Sequence, residues 1–296
     1  MKSRLESNIA KYCLFRIFTK RTFLPLIAIY LIDYGGVTLE EIAVIWSITA
    51  LVSLLLEIPA GYIADWIGHR KALILGTAIA AISVLPYIFM PNFYGAMVAS
   101  ILFFGGYAFL SGTIQAFIHE TLLALKREHE YSRIMGMAQS YGLLGNVVLI
   151  ILVPMTYVID PVLPFILGFL CLAANCGVAW SFVSPPERLV VAQQKDVRHL
   201  LEKLKALKSG SNLVLLVVIF ALFGVASSSY QNAILYREVI FRDVGIPVAY
   251  FGIILAAGSL LAAIVGLYIH LLEKLKPRVF YMLDSFYLCA AYYLVG

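Results

Sequence analysis

The chain has 296 residues, of which 62% are hydrophobic and only 13% charged, with a formal net charge of +5 at pH 7. Mean hydropathy is +0.91, which excludes an ordinary soluble domain and points to a helical protein with many membrane spans. Long continuous apolar runs, rather than alternation over about ten residues, argue against a β-barrel. The basic residues sit in loops between those runs, so no nucleic-acid partner is expected.

Runs of about 20 apolar residues predict nine spans, near 9–32, 41–62, 72–90, 93–118, 133–153, 162–182, 213–235, 247–269 and 279–296. In the first, Thr22 to Ile32 supplies about 16 Å of helix at 1.5 Å per residue, against a hydrocarbon core of about 30 Å. The span must therefore begin near Ile9, which places Lys20 and Arg21 close to mid-membrane. Such cations either face a cavity, pair with an acid, or snorkel inward. Facing the cavity, they would suit an anionic or carboxylate-bearing substrate.

The second span carries Glu57 inside Leu-Leu-Leu-Glu-Ile-Pro, where an acid either packs structurally or carries a proton. It runs into Glu57-Ile-Pro-Ala-Gly-Tyr-Ile-Ala-Asp-Trp-Ile-Gly-His-Arg-Lys71, which spaces Gly61, Asp65, Gly68, Arg70 and Lys71. That spacing between two apolar runs resembles the signature loop of the major facilitator superfamily, found on the cytoplasmic side between spans 2 and 3. The resemblance implies an all-α membrane protein with two six-span bundles that move a solute by alternating access. It also implies a conformational latch made of Gly61, Asp65, Gly68, Arg70, Lys71 and Glu120. In it Gly61 allows close helix approach, Asp65 meets a helix of the second bundle, and Arg70 meets Glu120 at the inner end of span 4.

Span 4 ends in Ser111-Gly112-Thr113-Ile114-Gln115-Ala116, which resembles bacterial members grouped with multidrug or small-solute exporters, and Gln115 is a candidate for the cavity. The mid-span arginine of many drug exporters is absent. Span 5, with Gly136, Gly142 and Gly145, lacks the Gly-Pro element of many antiporters. The polar stretch from Val183 to Asn212 follows span 6. Within it Val197, Leu200, Leu201, Leu204 and Leu207 recur at helical spacing, predicting an amphipathic helix on the membrane surface.

The predicted organisation is a six-span bundle over 1–182, a cytoplasmic linker over 183–212, and a partial second bundle of about three spans over 213–296. A 205-residue shift sets Gly266 over Gly61 and Lys276 over Lys71, with His270 in the place of Asp65, as parallel halves would. Span 7 contributes Ser227-Ser228-Ser229-Tyr230-Gln231-Asn232, of which Tyr230, Gln231 and Asn232 are substrate-binding candidates. Asp284 in span 9 joins Glu57 as a proton-coupling candidate. The sequence stops inside an apolar run, whereas a complete member of the superfamily would continue through about three more spans.

Loop charges orient the chain with its N-terminus in the cytoplasm. Arg70, Lys71, Lys126, Arg127, Arg133, the basic residues of 188–208, Lys274, Lys276 and Arg278 all fall on one side. Cys13, Cys171, Cys176 and Cys289 lie in apolar stretches without metal-ligand spacing, so neither metal nor cofactor is expected. No nucleotide loop or nucleophile constellation appears, so the expected protein is no enzyme. It is a monomeric multi-pass protein of the cell membrane, whose partners are lipid, a small-molecule substrate and protons as coupling ion. Proton-linked efflux of a small amphiphile is the leading expectation. Solute uptake, or a truncated membrane protein without transport, is the alternative.

Overall fold

The computed structural model describes residues 2–19, 22–186, 237 and 239–267, and every regular element among them is helical. In chain order these are α1 (Lys2–Phe18), a short 3-10 turn (Leu24–Leu26), α2 (Ile27–Asp33), α3 (Leu39–Ile67), α4 (His69–Ile82) and α5 (Leu85–Phe89). They continue with α6 (Phe93–Leu110), α7 (Thr113–Leu125), a 3-10 turn (Glu128–Glu130), α8 (Tyr131–Tyr157), α9 (Leu163–Ser181) and α10 (Val248–Leu267). Five of the helical stretches are long and apolar enough to cross a membrane: Leu39–Ile67, His69–Phe89, Phe93–Leu125, Glu128–Tyr157 and Leu163–Ser181.

Helix starts follow local chemistry. Thr38 opens α3 with a capping box: its hydroxyl accepts from the Glu41 amide, and the Glu41 carboxylate accepts from the Thr38 amide. Asn92 opens α6 by accepting from the amide of Gly95 at 3.0 Å. Pro25, Pro86 and Pro164 stand in the first turn of their elements, where a missing N–H costs nothing.

Three predicted spans differ from the folded chain. The first is two helices, not one: α1 runs from Lys2, rather than near Ile9, to Phe18, Thr22 and Phe23 lie in a turn, and helix begins again at Leu24. Pro25 cannot continue a helix through that break, since its ring would clash one turn back. The run predicted over 93–118 is interrupted at Ser111, which is extended, and at Gly112, and then continues to Leu125. The run over 72–90 begins at His69 and is interrupted at Ser83 and Val84. The spans predicted over 213–235 and 279–296, the amphipathic segment near 195–208, and Lys20, Arg21, Tyr230, Gln231, Asn232 and Asp284 lie outside the described residues.

The helices close around two apolar cores stacked along the bundle. One, toward the end that carries Asp33 and Asn92, gathers Phe23, Tyr30, Leu31, Ile42, Ile45, Val84, Tyr87, Ala96, Phe165 and Leu172. Phe165 is its hub, with ring centroids 4.3 Å from Tyr30, 5.2 Å from Phe23 and 5.6 Å from Tyr87. The Tyr30 hydroxyl donates to the Tyr87 carbonyl, and the Tyr87 hydroxyl bonds Ser100, which ties α2, α5 and α6 together. The other core, toward the end that carries Arg70 and Lys126 and called the basic end below, holds Tyr12, Phe15, Leu73, Ile114, Phe117, Ile118, Leu122, Ala138 and Phe182.

At the basic end, the fully buried Asn8 of α1 uses its side chain as a strand would. Its Nδ2 donates to the Val183 carbonyl at 2.8 Å, and its Oδ1 accepts from the Val183 amide at 3.0 Å. The outward face of α3 is the least covered surface: Leu54, Leu55, Ile58, Tyr62 and Trp66 are all exposed, Ile58 at 82%.

Candidate functional site

The connection between α3 and α4 is a single residue, Gly68, with φ 89° and ψ 141°. Residues with a β-carbon avoid that backbone conformation, so glycine at 68 lets the chain reverse from one helix into the next without a loop. The reversal sets His69 at the first position of α4, facing α7. Its Nδ1 stands 3.1 Å from Oε2 of Glu120, and its Nε2 stands 3.4 Å from Oδ1 of Asp65. Glu120 is nearly buried, while the Asp65 side chain is 78% exposed.

This arrangement corrects the expected pairing of Arg70 with Glu120. The Arg70 guanidinium donates instead to the Trp180 carbonyl at 2.6 Å, satisfying one of the orphan acceptors at the end of α9. The reason is helical phase. With only Gly68 between the helices, residue 69 points at α7, and residue 70, about 100° further round, reaches α9. Lys71 is exposed. Gly61 makes no close approach to any described helix, because a β-carbon placed there meets nothing within 4 Å. It shares the uncovered face of α3 with Ile58 and Tyr62. Glu57 is exposed on the same helix.

A second polar group lies between the two apolar cores. On α1, Phe15 belongs to the basic-end core, and Phe23, past the break, belongs to the other. Between them Arg16 donates to Oε1 of Gln139 on α8, and the Thr19 hydroxyl accepts from Nδ2 of Asn175 on α9 at 3.1 Å. Thr22 Oγ1, Ser140 Oγ, Asn146 Oδ1 and Asn175 Oδ1 are buried with no hydrogen-bond partner among the described residues. Gln115, in the first turn of α7, likewise has an unpartnered buried Oε1. Buried polar atoms are nearly always satisfied, so these unpartnered atoms are candidates for hydrogen bonds that the described residues do not supply.

Sequence reasoning missed Arg16, His69, Gln139, Asn146 and Asn175. A signal existed for four of them: each interrupts an apolar run, and a charged residue at mid-span costs about 2.5–3.5 kcal/mol on insertion scales. His69 gave no such signal, since it sits in a loop already rich in charge.

Helices of membrane-crossing length, stacked apolar cores and a charged junction at one end define a polytopic helical membrane protein. The sequence profile of the Major Facilitator Superfamily matches residues 13–295. The chain belongs to the Major Facilitator Superfamily, a group of transporters rather than enzymes. Among solved structures it resembles the crystal structure of nucleoside transporter NupG, with TM-score 0.64, 14% identity, and coverage of 92% of this chain and 67% of that one. A point mutant of NupG gives TM-score 0.64 at 13% identity, with coverage of 90% of this chain and 66% of that one. The chain thus spans about two thirds of the length of these structures. No curated protein matches it.

Proposed function

We propose that this chain is a secondary-active transporter that moves a small solute across the cell membrane by alternating access, with its N-terminus in the cytoplasm. The observation that carries the reading is the set of buried, unpartnered polar atoms of Thr22, Ser140, Asn146 and Asn175 on and between the helices that carry both apolar cores, with Gln115 on α7 as a further candidate. A solute bound there would lie among both polar groups and aromatic walls, which suits an amphiphile. The first six spans, over 1–182, form one moving body, and the segments beyond the 183–212 linker form part of the other. Asp65, Gly68, His69, Arg70 and Glu120 form the latch that holds the basic end of the first body in register. Gly61 and Lys71 stay in that latch as the surface turned toward the second body.

The finer reading is proton-driven efflux by a monomer, with Glu57 and Asp284 as the proton-carrying candidates and Lys20, Arg21, Tyr230, Gln231 and Asn232 as further cavity residues. Uptake is the second reading. What favours it is the number of open hydrogen-bonding atoms in that set, which suits a solute richer in hydroxyl and amide groups than an amphiphilic drug. The test is the full chain in proteoliposomes, energised by a pH gradient of either sign. It would be offered labelled amphiphilic cations, nucleosides and carboxylic acids. Solute movement against the proton gradient in one direction is expected, together with dissipation of that gradient. Absence of gradient-dependent flux for every solute, in a chain shown to be folded, would overturn the reading.

A further inference from the structure

Arg16 brings a full positive charge into the polar group between the two apolar cores, and its described partner is neutral. The guanidinium donates to the side-chain carbonyl of Gln139, which satisfies a donor without cancelling the charge. Among the described residues no carboxylate forms an ion pair with Arg16. An arginine presents five N–H donors in a planar fork matched to a carboxylate, so most of that capacity is unused by Gln139.

The packing holds the side chain where it is. A β-carbon on Gly142 of α8 would come to 3.0 Å from Cβ of Arg16 and 3.1 Å from its carbonyl oxygen. The two helices are therefore pressed together at this point, and the Arg16 side chain runs along α8. One turn toward the basic end, Tyr12 is buried, and its hydroxyl is taken by Met135. On α8, Ser140 follows Gln139 with a buried hydroxyl that has no described partner, a second donor at the same level.

We propose that Arg16 is the solute-recognising cation of this group and that it takes a carboxylate carried by a small solute. This rests on the transport reading above. It also makes a claim of its own: anions are selected over matched neutral compounds by α1 and α8.

The test uses the purified full chain and thermal unfolding with benzoate, nicotinate and succinate, each beside its amide. At least one carboxylate should raise the unfolding midpoint where its amide does not. Arg16→Gln should weaken that carboxylate by about tenfold or more, and Arg16→Lys should fall between. Gln139→Glu supplies the arginine with an internal carboxylate. It should abolish binding while leaving the ligand-free midpoint equal or higher, which keeps the test valid if Arg16→Gln folds poorly. A purely structural clamp between α1 and α8 would instead leave carboxylate binding intact in Gln139→Glu. That result overturns the proposal, as does a panel in which no carboxylate outperforms its amide. Arg16-dependent carboxylate binding in a chain without flux would support this proposal and sink the transport reading. Gradient-driven flux of a neutral solute that is unchanged in Arg16→Gln would do the reverse.

Discussion

At the basic end the ring of His69 touches carboxylates through both nitrogens, Glu120 at 3.1 Å and Asp65 at 3.4 Å, and only the imidazolium has a proton for each. His69 precedes the apolar stretch of α4 and so lies outside the membrane core. The hydrogen bond that His69 donates to Glu120, opposed by burial and helped by the charges of Glu120 and Asp65, holds its pKa above the ordinary 6.5. A raised folded-state pKa stabilises the fold fully below the unfolded value, and the benefit is lost as pH rises through the folded value. The junction should therefore loosen on passing from slightly acid to slightly alkaline conditions. Most of the effect belongs to Glu120, since Asp65 is largely solvent-screened. His69→Ala at about pH 6 should cost about 1.5–3 kcal/mol in a detergent unfolding titration, with a smaller loss at about pH 8. Equal losses at both pH values would show that the imidazolium contributes nothing. The charged loop itself was legible in the sequence from the spacing of Gly61, Asp65, Gly68 and Arg70. Which basic side chain reaches Glu120 was not, because it depends on the one-residue connection that sets the phase of α4.

Two glycines separate what helix spacing demands from what sequence motif suggests. Gly76 on α4 lies so close to α6 that a β-carbon there would come to 2.7 Å from the Gly106 carbonyl oxygen. Gly61 on α3 has open space. Gly76→Ala should lower stability by about 1–3 kcal/mol through overpacking at the α4–α6 contact. Gly61→Ala should hold or gain up to about 1 kcal/mol from better helix propensity. Unfolding midpoints in the same titration compare them, and a neutral Gly76→Ala would mean that the two helices can part without loss. At this scale the apolar runs read over 133–153 and 162–182 match α8 and α9 to within a few residues, and the run over 41–62 matches the start of α3 but stops five residues short of its end. Hydropathy failed where apolarity continues across a backbone break. Ser111 and Gly112 are flanked by Leu110 and Thr113 in a run that stays hydrophobic on average, so the positive φ of Gly112 leaves no trace in composition.

Across the whole molecule, α2 meets the helical stretch 239–243 at the end opposite the basic one, and α10 packs on α8. Arg242, in the helical stretch 239–243, donates to Oδ1 of Asp33 at the end of α2, at 2.7 Å. In addition, a β-carbon on Gly252 of α10 would come to 2.2 Å from the Ile150 carbonyl of α8. The pair is half exposed, which limits it to about 0.2–1 kcal/mol, or about 1.4- to 5-fold in a population ratio. Asp33→Asn and Arg242→Gln should each raise maleimide labelling of a cysteine placed at Tyr157 by up to that factor, in a background without native cysteines. The double variant should add nothing further. Additive effects would mean that the two residues act separately rather than as a contact holding this end closed. None of this was legible in advance: Asp33 and Arg242 stand 209 residues apart, and loop charges were read only for orientation.

Asn8 sits in the second turn of the first helix, yet the backbone group that completes it belongs to Val183, 175 residues later. A ribosome delivers Val183 a full 175 residues after Asn8, so until then this buried amide has only the Thr121 hydroxyl, 3.4 Å away in the folded chain, among its final partners. α1 can enter the bilayer early, but it cannot be locked until α9 has been released and the segment that follows it laid alongside. The clasp between Asn8 and Val183 thus marks a moment in biogenesis. Until it closes, the nascent bundle offers whatever insertion machinery is holding it a polar side chain without its backbone partner.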